Sequence, residues 1–124
     1  RLLNERKNQI YAVRGNCEAE VDQMVLDFPV MADYCILAIE GKTMYATHGH
    51  IYNKDNLPPM MDGDILIHGH THVLKAENMG NYILLNPGSV SIPKEGNPPT
   101  YAILENGIFT IKDFEGNTVR EITL

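Results

Sequence analysis

At 124 residues and 13.9 kDa the chain has the length of one ordinary domain, enough to bury a core. Apolar residues make up 44% and charged residues 21%, and the apolar runs are too short and interrupted to cross a membrane as a helix. Ten basic against sixteen acidic residues give a net charge of −6, with the cations scattered singly apart from Arg6-Lys7, which excludes a broad nucleic-acid surface.

The opening Arg1 to Gln9 reads as the tail of a helix already under way, so the expectation is a chain that lacks its natural N-terminus. Ile10 to Val13 is a short apolar run stopped by Gly15, which predicts a buried strand. From Glu18 to Phe28 the apolar residues Val21, Met24, Val25 and Phe28 recur at helical spacing, and Pro29 ends the pattern. Cys35 to Ile39 and Lys42 to Thr47 read as two strands turned at Glu40-Gly41. Asn56 to Pro59 interrupts, with room for a short helix.

Asp64 to His68 is a further buried strand. Val73 to Glu77 and Tyr82 to Leu85 form a hairpin about Met79-Gly80-Asn81. Asn86 to Ser89 and Pro93 to Pro99 are loops. Tyr101 to Leu104, Ile108 to Phe114 and Thr118 to Ile122 alternate as strands, turned at Asn106-Gly107 and Gly116-Asn117. One strand-rich domain results.

All five histidines lie between positions 48 and 72, in T-H-G-H and in H-G-H-T-H, each at or just after a strand end. Imidazole is the commonest side-chain ligand for transition metals. Residues two apart on an extended strand face the same side, so His48 with His50, and His70 with His72, can each aim at one place unless the chain turns between them. Asn16 sits in a strand-to-helix turn, where its amide oxygen offers a hard neutral ligand. The competing reading is two pairs of surface histidines. His68, on an apolar strand, reads as packed rather than ligating. Cys17 is either a small packing residue or a thiol that ionises at a helix N-terminus. The cysteines Cys17 and Cys35 form no C-x-x-C pair, which favours a reducing cytoplasm.

R-G-N-C-E, T-H-G-H, G-H-T-H and N-P-G-S-V-S-I-P, in that order, resemble the calcineurin-like metallophosphoesterases, most of all their small bacterial YfcE-type phosphodiesterases. The resemblance covers essentially the whole chain. It implies an α/β fold, a β-sandwich flanked by helices (αββα), strand-rich here because N-terminal strands and helices are missing. Residues 1–124 would then be the C-terminal two-thirds of one such domain. It also implies two divalent metal ions, manganese first, with iron, zinc or nickel as alternatives. Asn16, His48 and His70 would hold one metal and His72 the other, and His50 would lie beside the substrate phosphate. Residues 86–93 would form the loop beneath the site. The reaction implied is hydrolysis of a small phosphodiester by a metal-activated water.

Two departures qualify the resemblance. Cys17 stands where many members carry a histidine, and a thiol is a poor general acid, so substrates with good leaving groups are expected. The family's D-x-H and G-D motifs, which supply a bridging carboxylate and further ligands, are absent, so this segment by itself should bind metal weakly and hydrolyse little. A non-catalytic protein-binding scaffold on the same fold, as in a retromer subunit, is the alternative. No membrane partner is implied, and a homo-oligomer is allowed.

Overall fold

Alternating strands and tight turns build most of the molecule. The computed structural model describes residues 1–17 and 20–124. It contains a 3-10 turn at Asn4–Gln9, helix α1 (Glu20–Val25), and strands β1 (Tyr34–Ile39), β2 (Lys42–Thr47), β3 (Ile65–His68) and β4 (Lys75–Asn78). Four more follow: β5 (Ile83–Asn86), β6 (Thr100–Glu105), β7 (Ile108–Asp113) and β8 (Thr118–Thr123). They form two sheets, ordered β1-β2-β3-β5-β4 and β6-β7-β8. No helix among the described residues is long and apolar enough to cross a membrane.

Hairpins join neighbours where the turn residues allow it. Glu40 and Gly41 have φ of 50° and 79°, Asn106 and Gly107 of 53° and 74°, the left-handed pairs of two-residue hairpins. At the centre of the larger sheet, β3 pairs in parallel with both β2 and β5. A strand flanked by parallel neighbours is covered on both faces, which is why Ile65, Leu66 and Ile67 run without a polar break.

Period-two alternation then divides the side chains. Met44, Ile65 and Leu85 point between the sheets and meet Phe109 and Ile111 of β7. Their neighbours Tyr45, Leu66 and Leu84 face the other way and cluster with Tyr82. The segment after β2 is strapped over that outer face: the Tyr45 hydroxyl donates to the Pro59 carbonyl at 2.9 Å, and the Thr47 hydroxyl to the Tyr52 carbonyl at 2.8 Å.

Four expectations need correction. Ile10 to Val13 is not a strand: among the described residues no strand pairs with it, and a lone extended segment has nowhere to place its backbone hydrogen bonds. The helical pattern yields only α1; Glu18 and Ala19 lie outside the described residues. Phe28 is buried, but Val21, Met24 and Val25 are 61%, 82% and 63% exposed, so among the described residues little covers the apolar stripe. The opening is a 3-10 turn broken at Arg6 rather than a regular helix tail. Asn56 to Pro59 forms no helix; Asn53 and Asn56 instead close an isolated bridge, and consecutive prolines supply no amide donors.

The turn from β7 to β8 carries a charge-dependent clasp. Asp113 accepts hydrogen bonds from the Asn117 backbone and side-chain N–H groups and from the Glu115 N–H, at 2.8, 3.0 and 2.9 Å. These donors, Asn117's backbone first, hold its carboxyl below the usual carboxylate range. A depressed acid stabilises the fold above its unfolded pKa of about 3.9 and loses that contribution as pH falls through the lower folded value. Acid titration of hairpin amide resonances should therefore show loosening below that range, and Asp113→Ala should remove this transition. Identical acid profiles would contradict it.

Candidate metal centre

The parallel register of β2 and β3 builds the site. Thr47, the last residue of β2, lies opposite His68, the last of β3, so the segments that follow leave the sheet side by side. The Gly69 N–H donates to the His48 carbonyl at 2.9 Å and ties them together. Ligands gather at the carboxyl ends of such strands because neighbouring loops converge there.

Three imidazoles meet as a result. The ring centroids of His48 and His50 are 5.0 Å apart, those of His48 and His70 5.0 Å, and those of His50 and His70 6.2 Å. Rings sharing a cation through bonds of about 2.0–2.1 Å keep their centroids within roughly 6.5 Å, so the rings are close neighbours, although as they stand the three do not form a cation cage. The His48 and His50 Nδ1 atoms stand 3.0 Å apart, a hydrogen-bond distance in which the N–H of one ring donates to the lone pair of the other.

His72 is placed differently. His70 and His72 both have positive φ, 67° and 60°, so the chain turns between them and extended alternation does not apply. His72 makes no ring contact with the other three; its Nδ1 is buried with no hydrogen-bond partner. An orphaned buried nitrogen is costly unless something binds it.

His68 is buried, as a packed residue should be, with its Nδ1 donating to the Gly69 carbonyl at 2.9 Å. Burial above all pushes its pKa down, aided by the nearby charges of Lys75 and His70 and opposed by the Gly69 hydrogen bond. The ring is therefore held neutral. Asn16 and Cys17 are both exposed and lie outside the lining of the adjacent cavity.

That cavity, about 700 Å³, is lined by His50, His68 and His70 and by side chains that sequence reading passed over. Lys54, Lys75 and Arg120 reach it from three separate elements, alongside the carboxylates Asp55, Glu77 and Glu95. Among the described residues none of these three cations is held in an ion pair. Single charges scattered along a chain carry no signal of convergence, and the contact between β4 and β8 brings Arg120 to the same side as Lys75.

The donor set fits a metal site in part. Neutral imidazoles are the right chemistry for a first-row divalent ion, and the buried His72 nitrogen has no hydrogen-bond partner. Yet among the described residues no three histidine, cysteine or carboxylate side chains converge as a ready-made cation site. Among the described residues no aspartate or glutamate joins the three clustered rings in a group that could hold a cation.

Residues 1–107 match the family model described as the calcineurin-like phosphoesterase superfamily domain. The chain belongs to that superfamily. It is 46% identical over 109 residues to phosphodiesterase YfcE of Escherichia coli K12, covering 88% of this chain and 59% of the relative. The chain thus spans well under two-thirds of that relative's length. The solved structure of the E. coli YfcE phosphoesterase superposes with a TM-score of 0.93 at 41% identity, over 98% of this chain and 67% of that one. A probable metallophosphoesterase of Bacillus subtilis, YsnB, is 26% identical over 121 residues, or 89% of this chain and 67% of that relative. The strand-rich, two-sheet α/β architecture is therefore the family's fold, and family membership implies divalent metal ions.

Proposed function

We propose that this chain carries the histidine half of a dinuclear phosphodiesterase site. The observation that supports it most is the meeting of His48 and His70, separated in sequence but 5.0 Å apart as rings because β2 and β3 are parallel and in register. His48 and His70, with Asn16, would hold one ion, and the buried Nδ1 of His72 is free to help hold the second. Bound metal would activate a water and stabilise the oxygens of the reacting phosphate. His50, which lines the cavity, would hydrogen-bond a phosphate oxygen, and Cys17 would lie near the leaving group. Manganese suits these ligands, and iron, zinc or nickel would also bind.

On this reading residues 1–124 are the C-terminal two-thirds of the domain, and the bridging carboxylate comes from a segment bearing D-x-H and G-D. Without it two cations repel at close range, so the segment binds metal weakly and hydrolyses little. The free cysteines Cys17 and Cys35 suit a reducing cytoplasm.

Calorimetric titration with manganese, run beside hydrolysis of a chromogenic phosphodiester, tests both parts. Weak binding by the 124-residue chain, lost in His70→Ala and His48→Ala, is expected, with little turnover. Equal binding by the chain and both variants would remove the site; full activity from these residues alone would remove the half-site.

A further inference from the structure

The turn that carries His70 and His72 depends on a residue from a different strand. Asn86, the last residue of β5, is 1% exposed. Its Nδ2 donates to the Gly69 carbonyl at 3.2 Å and to the Thr71 hydroxyl at 3.1 Å. Gly69 and Thr71 flank His70 on either side. Its Oδ1 accepts from the Gly88 N–H at 2.9 Å, which anchors the amide from behind.

These bonds bear on a strained segment. His70 and His72 both sit in the left-handed region, which is strained for a non-glycine residue and persists only where the surroundings over-determine it. The turn supplies little of that itself: the Thr71 N–H reaches the Gly69 carbonyl at 2.8 Å, and the Val73 N–H reaches the Thr71 hydroxyl at 3.3 Å. The Gly69 carbonyl is also met by the His68 ring at 2.9 Å, so three donors converge on it. Among the described residues it is Asn86 that joins the two sides of His70 to a buried strand.

We propose that Asn86 is the positioning residue of the histidine cluster, clamping Gly69 and Thr71 so that the ring of His70 stands beside that of His48. An aspartate at this position keeps size and the acceptor for Gly88 but loses both donors, and a carboxylate would face the Gly69 carbonyl. The clamp has nothing to do with the reacting atoms directly. It acts through His70.

The inference rests on the proposed histidine-held metal, so its test reads geometry as well as binding. In the 124-residue chain, ring-to-ring NOEs between His48 and His70 and manganese affinity by calorimetry are compared in the unsubstituted chain, Asn86→Asp, Thr71→Val and Thr71→Ser. Loss of the NOEs with a fall in affinity of roughly 10–100-fold, as for residues that orient metal ligands, is expected for Asn86→Asp. A smaller effect of the same kind is expected for Thr71→Val, with recovery in Thr71→Ser. Methyl resonances of the core residues Ile65 and Leu85 should stay in place in all of them. Should Asn86→Asp fail to fold, the pair Thr71→Val and Thr71→Ser decides, since Thr71 is exposed. Retained NOEs and unchanged affinity in a folded variant would overturn the proposal. If the unsubstituted chain binds no manganese while the NOE differences persist, the metal reading fails and the positioning role stands.

Discussion

Gly49→Ala is expected to destabilise the chain by roughly 2–5 kcal/mol and to scatter the histidine cluster. Gly49 has φ of 117°, a region that side-chain-bearing residues rarely adopt. A Cβ there would stand 2.8 Å from the His68 Nδ1, 3.0 Å from the Gly69 carbonyl oxygen and 3.0 Å from the His70 Cβ. None of these neighbours yields cheaply: His68 is buried and hydrogen-bonded, and the other two belong to the strained turn. Relief must push the segment after β3 away from the segment after β2, the one approach on which the site depends. For a chain of this size the melting temperature should drop by roughly 8–20 °C. Gly69→Ala is the control, because its nearest neighbour would be the His48 carbonyl oxygen at 3.8 Å, ordinary contact. Equal melting of Gly49→Ala and the unsubstituted chain would show that the two segments are not packed this closely.

Gly88→Ala should cost a similar amount, roughly 2–5 kcal/mol, by a different route. With φ at 85°, its Cβ would run into the Thr100 hydroxyl oxygen, with Leu74 Cβ and Thr100 Cβ each at 3.4 Å. Thr100 is 2% exposed, and its hydroxyl donates to the Pro87 carbonyl at 2.8 Å, so it cannot swing aside without leaving that acceptor unpaired. Adding Thr100→Ala should recover the steric part and leave the backbone strain, so the two changes should couple rather than add. Chemical denaturation of the two single variants and the double measures that coupling; strict additivity would deny the contact. Because the Gly88 N–H also anchors the Asn86 amide, the same substitution is expected to disturb the His70 turn.

Most strands were legible along the chain because each carries its own instructions. Cys35 to Ile39 and Lys42 to Thr47 were readable from alternation and from Glu40-Gly41 between them; β6, β7 and β8 were equally readable around Asn106-Gly107 and Gly116-Asn117. The histidine pairs were legible as a concentration of imidazoles at strand ends, but which of the rings would meet was not. Ile10 to Val13 shows the limit. Its composition is that of a strand, but a strand exists only with a neighbour, and neighbours are not written in local sequence. The stripe Val21, Met24 and Val25 fails in the same way: spacing defines a face without naming what covers it.

What residue order determined by itself, then, was local: turn positions, strand periods, and the kinds of ligand on offer. That His48 stands beside His70 was decided by the register of two parallel strands, and that Lys54, Lys75 and Arg120 share a cavity by how two sheets meet. The turn at His70 and His72 was decided by Asn86, reaching across from another strand. Each is a long-range contact, formed by hydrogen bonds and burial between segments whose separation along the chain holds no information about their separation in space.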